Sequence, residues 1–234
     1  MSVVSNNTPS AILIHGLHLQ TNDWEKIVWG DVTHGQWGAI VRGVEVAWRM
    51  QAKLIVWGTG ASEKEGQKES EYGFHLALSR VDDLAMLCNC TGEELKKFLE
   101  ERSVCDVDTQ NTRDEVRAFL DMCLSKGIAE VVLVASASHA PRSIRTALSL
   151  VTSRSEYAPF RHRVYLAPSD VVFTETTMED VVIFERPHRG DRPKNDNHLL
   201  ARRTLDILKT DQRDVYLAEW EEMLLRYEAR RKSS

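Results

Sequence analysis

The residues best suited to chemistry follow a short apolar run at Val131–Val134. Two hydroxyls, an imidazole and a guanidinium come after it, in Ser136, Ser138, His139 and Arg142. An imidazole can donate, accept or carry a proton near neutral pH. A guanidinium presents a fork of donors that matches phosphate or carboxylate oxygens. We therefore expect this segment to hold a small anion, with Arg142 on the anion and His139 as an acid–base or polar contact.

The two serines also fit a second hypothesis, in which a serine hydroxyl beside a histidine acts as a nucleophile. Neither stands in the Gly-x-Ser-x-Gly sequence of a nucleophile elbow, and the sequence does not assign a third group. We predict that Ser136 and Ser138 bind the ligand, and Ser138 can also cap the helix expected from Pro141 to about Val151. Arg145, one turn after Arg142, is left open between a ligand contact and a solvated charge.

Glycines follow two other apolar runs, Ala11–Gly16 and Lys53–Trp57. Gly16 ends the first run, and Gly58 and Gly60 follow the second within Gly-Thr-Gly. Glycine lets the backbone approach a ligand closely, although it also simply ends strands. The Gly-x-Gly-x-x-Gly fingerprint is absent from the sequence, so a conventional dinucleotide site is not predicted.

Hydrophobic periodicity predicts the elements that position these groups. Strands are expected at the three runs above and at Arg163–Ala167 and Val181–Phe184. Helices are expected over Gln36–Gln51, from the charged lead-in Lys64–Glu71 through about Leu87, around Glu93–Glu100 and over Asn111–Lys126, whereas Leu17–Gly35 has the pattern of a loop. This alternation predicts an α/β protein with a three-layer Rossmann-like fold, a mainly parallel sheet and helices on both faces. The strand ends would then share one ligand crevice.

Two acidic segments leave structural and functional interpretations open. Thr112-x-x-Glu115 matches a capping box at the start of the Asn111–Lys126 helix, which leaves the Asn111 carboxamide for a ligand. Glu71 could stabilise the dipole of its helix from the first turn, or it could be an acid that contacts substrate.

Several of these positions recur in a fixed order along the chain. Gly16 ends the first strand, Arg42 stands in the next helix before Ala47, Gly58 and Gly60 follow the second strand, and Glu71 opens a helix. Two later segments are more distinctive, namely Asp106-x-x-Thr109-x-Asn111-Thr112-x-x-Glu115 and Ala-Ser-Ala-Ser-His-Ala-Pro-Arg at 135–142. In this order the elements resemble the SanA/ElyC/YdcF-like family of Rossmann-like α/β proteins, over about residues 11–151.

The resemblance implies a set of site residues but no single reaction. Acid–base candidates are His139, Glu71 and Asp106, and ligand-binding candidates are Gly16, Arg42, Gly58, Gly60, Asn111, Ser136, Ser138 and Arg142. A small nucleotide-like or S-adenosylmethionine-like ligand is implied, with S-adenosylmethionine resting on the resemblance alone. The chain departs from the family pattern at His15-Gly16-Leu17-His18, which replaces a glycine cluster, and at Gly-Thr-Gly, which replaces adjacent glycines.

Composition limits the class of protein. The chain has 234 residues, 42% hydrophobic and 28% charged, with a formal net charge of −5. These values predict a single α/β domain, with a core over about residues 11–185 and a helical extension over about 197–232. The negative charge argues against a nucleic-acid partner, and no apolar run in the sequence approaches a membrane span or signal peptide, so we expect a cytoplasmic protein.

The cysteines do not indicate a metal site, and the C-terminal residues leave two interpretations open. Cys88, Cys90, Cys105 and Cys123 lack the paired spacing of common zinc sites, so reduced thiols and no metal are predicted. The basic segment 186–194 suits either a lid over an anion or an exposed linker. The amphipathic C-terminal helices suit packing on the sheet or a homodimer interface.

The leading hypothesis is a protein that binds a small anionic, nucleotide-like ligand at the carboxyl ends of the strands and acts on it by group transfer or hydrolysis. The alternative is a non-catalytic ligand sensor or adaptor that uses the same pocket. A weaker alternative is a metal-dependent hydrolase built on His15, His18, His139 and an acid.

Overall fold

The computed structural model describes residues 9–137 and 139–171, together with the helical positions Val215 and Ala218. The chain divides into two compact units, residues 1–181 and 182–234, and the fold below is that of the first. The predicted strand Val181–Phe184, the basic segment 186–194 and most of the C-terminal helices with their dimer interface lie outside the described residues. Those expectations and the single-domain prediction remain predictions.

Five strands form the central sheet, and every pair of neighbours is parallel. They are β1 (Ser10–Ile14), β2 (Leu54–Trp57), β3 (Ser103–Cys105), β4 (Glu130–Ala135) and β5 (Val164–Pro168). Their order across the sheet is β3-β2-β1-β4-β5. The chain therefore moves to one side of β1 first and later returns to the other side. Because loops leave β1 and β4 in opposite directions, a crevice is expected where these two strands end.

The three central strands are apolar on both faces because helices cover both. Seven helices accompany the sheet in the described residues: α1 (Trp24–Trp29), α2 (Ala39–Met50), α3 (Glu69–Ser79), α4 (Val81–Cys88), α5 (Gly92–Arg102), α6 (Thr112–Ser125) and α7 (Ala140–Ser153).

Successive strand residues point to opposite faces of the sheet. Ile12, Ile55 and Val132 pack in one core with α2, whereas Leu13 and Leu133 pack in the other with α6 and α7. The predicted three-layer Rossmann-like α/β fold is confirmed.

Several element predictions needed correction. Helix α1 lies in the segment predicted as a loop, and it forms because Trp24, Ile27 and Val28 are buried against the core. The helix predicted up to about Leu87 is two helices, since Arg80 leaves helical geometry with φ −120° and ψ 30°. Strand β3 is three residues long, too short to give an alternating pattern. In the described part of the chain, the helices are all too short or too polar to cross a membrane.

Candidate functional site

A buried histidine–carboxylate pair lies where β1 ends. His15 follows β1 directly, and its Nδ1 lies 2.6 Å from Glu115 Oε2. The side chains are 0% and 1% exposed, respectively. Two further atoms of this pair, His15 Nε2 and Glu115 Oε1, are buried and lack a hydrogen-bond partner among the described residues. Unsatisfied polar atoms of this kind are rare in folded proteins and call for an explanation.

Glu115 reaches His15 because α6 begins one residue earlier than the predicted capping box requires. The N-cap is Asn111, whose Oδ1 accepts hydrogen bonds from the backbone N–H groups of Arg113 and Asp114. The Asn111 Nδ2 donates to Asp114 Oδ2 at 2.6 Å. The capping-box prediction was therefore wrong, and Asn111 has the capping role. The Thr112 and Glu115 side chains are released to face the strand ends.

Thr112 and His139 extend this cluster to the end of β4. The Thr112 hydroxyl lies 3.1 Å from His139 Nε2. The His139 ring lies against the His15 ring, with 4.9 Å between centroids. Burial lowers the pKa of His139 well below its ordinary value, and the nearby His15 and Arg142 lower it further. His139 is therefore neutral at physiological pH.

A second buried carboxyl group, Glu69, lies at the first position of α3 and is 4% exposed. Its Oε2 accepts a hydrogen bond from Ser62 Oγ at 2.6 Å. Burial raises its pKa, the hydrogen bond from Ser62 lowers it, and the negative charge of Glu115 raises it, which together give a pKa of about 8. Below that pH Glu69 is a neutral acid.

Two of the predicted glycines make room for these carboxyl groups. A Cβ on Gly16 would lie 1.8 Å from Glu69 Oε1, and a Cβ on Gly58 would lie 1.6 Å from Glu115 Oε1. At these two glycines the groups that approach the backbone closely are therefore carboxyl groups of the protein itself. Gly60 instead meets the backbone of the loop after β3, with 1.8 Å between its added Cβ and Val107 O.

A cavity of about 20 Å³, lined mostly by apolar side chains, lies against both His15 and Glu69. Its polar lining comes from His15, Glu69 and Ser70, with backbone from Gly16 and Gly58. The Ser70 hydroxyl is buried without a hydrogen-bond partner among the described residues. A cavity of this volume with several polar walls takes about one water molecule or a group of that size. It is too small for a nucleotide.

Two predicted acids contact the backbone of their own loops. Glu71 Oε2 accepts a hydrogen bond from the Lys68 backbone N–H at 2.8 Å, so it caps the start of α3. Asp106 accepts from the Thr109 hydroxyl at 2.6 Å and from the backbone N–H groups of Asp108 and Thr109, which closes the turn after β3.

Arg42 lies at the carboxyl edge of the sheet but contacts another element. Its Nη2 lies 2.7 Å from Asp170 Oδ2, just beyond β5. Its guanidinium carbon is 4.5 Å from the centre of the Trp37 ring. Arg42 does not line the cavity.

The β4 exit carries the remaining predicted residues. Ser136 O accepts the backbone N–H groups of His139 and Ala140 at 2.9 Å each, which turns the chain into α7. Arg142 lies in the first turn of α7, near enough to His139 to lower its pKa. Ser138 lies outside the described residues, so its predicted ligand and capping roles are not described.

Sequence reasoning missed the two residues that contribute most to the cluster. His15 was a candidate only as a metal ligand. Glu69 was not a candidate, because the sequence pattern indicates Glu71 as the acidic residue that begins the helix. A signal existed for His15, since it directly follows an apolar run. Glu69 gave none, because its burial depends on Gly16 and Ser62, which are distant in sequence.

The cysteines are free thiols, and burial raises the pKa of Cys88 and Cys123 to about 12. Within residues 9–137 and 139–171 no group of three or more His, Cys, Asp or Glu side chains is placed to hold a metal ion.

The cluster and the sheet together define a Rossmann-like α/β protein with a buried histidine–carboxylate site. Comparisons with family models, curated proteins and solved structures found no match to this chain.

Proposed function

We propose that this protein binds a small phosphate-bearing, nucleotide-like compound at the carboxyl ends of β1 and β4 and catalyses hydrolysis or group transfer. His15 is the general base and Glu115 orients it. The observation that supports this most strongly is the 2.6 Å contact between His15 Nδ1 and Glu115 in a buried cluster that leaves Nε2 unpartnered among the described residues.

The pair has the arrangement of an oriented base. A carboxylate that accepts a hydrogen bond from Nδ1–H fixes the imidazole tautomer and leaves the Nε2 lone pair free to take a proton. It also stabilises the imidazolium that forms during proton transfer. The carboxylate of Glu115 is nearly fully buried, so little water screens this interaction.

The anionic part of the ligand is assigned to the β4 side of the crevice. Arg142 lies in the first turn of α7, where the helix dipole also favours negative charge. His139 is neutral and contacts Thr112, so its ring suits a hydrogen bond to the ligand. The cavity of about 20 Å³ admits one water-sized group of the ligand, and the bulk of the ligand would lie outside it.

The SanA/ElyC/YdcF-like resemblance agrees with this location, because its segments around Asn111–Glu115 and Ser136–Arg142 both reach the cluster. It also makes S-adenosylmethionine a compound to test. Membership of that family remains part of the proposal.

A binding and turnover screen tests the proposal. The panel contains inorganic phosphate, AMP, ADP, ATP, 4-nitrophenyl phosphate and S-adenosylmethionine, with calorimetry for binding and product analysis for turnover. His15→Asn is compared with His162→Asn, which changes an exposed histidine. We expect the first variant to lower kcat by about 10²–10⁴-fold with little change in affinity, as for loss of a general base.

The outcomes separate the hypotheses. Equal turnover by wild type and His15→Asn contradicts the assignment of the base. Binding of a panel compound without any product contradicts catalysis and favours the sensor or adaptor. Absence of binding to every phosphate compound contradicts the proposal as a whole.

A further inference from the structure

We infer that Glu69 is the proton donor of this site and delivers a proton to the leaving group while His15 takes one from the attacking water. The inference rests on the proposed function and deepens it. It extends the candidate catalytic residues to an acid that lines the same cavity as His15.

Three contacts hold the Glu69 carboxyl group in place. The Leu19 backbone N–H donates to Ser62 Oγ at 2.9 Å, and Ser62 Oγ donates to Glu69 Oε2 at 2.6 Å. The Glu69 backbone N–H donates to Ser62 O at 3.1 Å. The other carboxyl oxygen, Oε1, lies where a side chain at Gly16 would be, directly against the end of β1. One oxygen is thus bound by a donor, and the other faces the loop that carries His15.

Glu69 and Glu115 have opposite environments within one cluster. Glu115 Oε2 lies 2.6 Å from the Nδ1 of a histidine. Glu69 has no cationic group among its described hydrogen-bond partners, and burial raises its pKa to about 8. Paired acids whose environments differ in this way commonly divide the base-side and acid-side roles of a reaction.

The proton balance of hydrolysis is complete with these groups. The water oxygen forms a bond to phosphorus as the bond from phosphorus to the leaving oxygen breaks. His15 Nε2 receives the water proton, and the Glu69 carboxyl proton passes to the leaving oxygen. Return of a proton from the imidazolium to the Glu69 carboxylate, through solvent, restores both groups.

The dependence of rate on the leaving group tests this role. Phenyl phosphate needs a proton on its leaving oxygen, whereas 4-nitrophenyl phosphate releases a stable anion and does not. We expect Glu69→Gln to lower kcat for phenyl phosphate by about 100-fold, as for loss of a general acid, and to have a much smaller effect with 4-nitrophenyl phosphate. The matched control is Glu65→Gln, which changes an exposed glutamate in the turn before α3.

A second variant tests the same role if Glu69→Gln does not fold. Ser62→Ala keeps the acid but removes the hydrogen bond that fixes it. We therefore expect a smaller fall in kcat, which is again larger on phenyl phosphate than on 4-nitrophenyl phosphate. An equal loss on both esters, or no loss, in whichever variant folds overturns the inference. In that case His15→Asn remains impaired on both esters if the proposed function holds. Failure of the wild-type protein to hydrolyse either ester also overturns the inference, whereas turnover of a nucleotide would preserve the proposed function.

Discussion

Two contacts that involve a carboxyl group at the carboxyl edge of the sheet differ in burial and in hydrogen bonding. The His15–Glu115 pair is 0% and 1% exposed, whereas the Arg42–Asp170 pair is 23% and 40% exposed. Asp170 Oδ2 in the outer pair also receives the Trp37 backbone N–H at 3.3 Å, and Arg42 covers the Trp37 ring. The inner pair leaves one atom on each partner unsatisfied among the described residues.

The difference in burial and in hydrogen bonding indicates that the two pairs have different roles. Burying a carboxylate costs desolvation free energy that a single hydrogen bond does not always offset, so an incompletely satisfied buried pair is a poor way to gain stability. A partly exposed pair costs little and contributes little. We therefore attribute the inner pair to function and the outer pair to attachment of the residues after β5 to α2.

The largest expected effect comes from crowding the inner pair. Gly58→Ala would place a Cβ 1.6 Å from Glu115 Oε1. Because the buried Glu115 is bound to His15, its displacement breaks the pair, and we expect a loss of about 3 kcal/mol in the free energy of unfolding. Urea denaturation measures it.

Gly73→Ala is the matched control for that substitution. Its added Cβ would meet Ile40 and Trp57 at ordinary contact distances of 3.7 and 3.8 Å. Alanine is also favoured in a helix, so we expect no loss of stability. Equal destabilisation by the two variants would contradict the account of Gly58.

An effect of similar total size, spread over several pH units, should appear in the pH dependence of stability. The pKa of Glu69 is raised from 4.5 to about 8. Between these values the unfolded chain releases the proton and the folded chain keeps it, so this group's contribution to stability is complete below pH 4.5 and is lost as pH rises to about 8. Glu69→Gln removes this loss.

Denaturation at pH 5, 6.5 and 8 checks the direction. We expect the stability of Glu69→Gln relative to wild type to increase over this range by roughly 1 kcal/mol per pH unit and then level off. Glu65→Gln should show no such trend. A difference between Glu69→Gln and wild type that is independent of pH would mean that Glu69 is ionised in the folded protein at neutral pH.

The smallest effect is expected at the outer pair. A double-mutant cycle with Arg42→Ala and Asp170→Ala should give a coupling free energy of about 0.5–1 kcal/mol, because both side chains remain partly hydrated. A coupling of several kcal/mol would show that the outer pair also behaves as a buried contact and would remove the distinction between the two.

The sequence predicted the sheet and the edge at which the buried cluster lies, because apolar runs and the parallel-strand rule depend on local pattern. It placed His139, Gly16 and Gly58 in the cluster for the same reason. It did not predict that Glu115 would reach His15, since 100 residues separate them and a capping box explained Thr112 and Glu115 equally well. Glu69 and Glu71 differ only in which side of α3 they occupy, and packing determines that.

The central claim is that Glu115 orients His15 as the base of this site, and the kcat of Glu115→Gln on a phosphate ester that the wild-type protein hydrolyses tests it most directly. An amide at this position can donate to Nδ1 and leave the proton on Nε2, the wrong tautomer for a base. We predict a fall in kcat on the order of 10³-fold with the ligand affinity retained. An unchanged kcat in a folded Glu115→Gln protein would contradict the account.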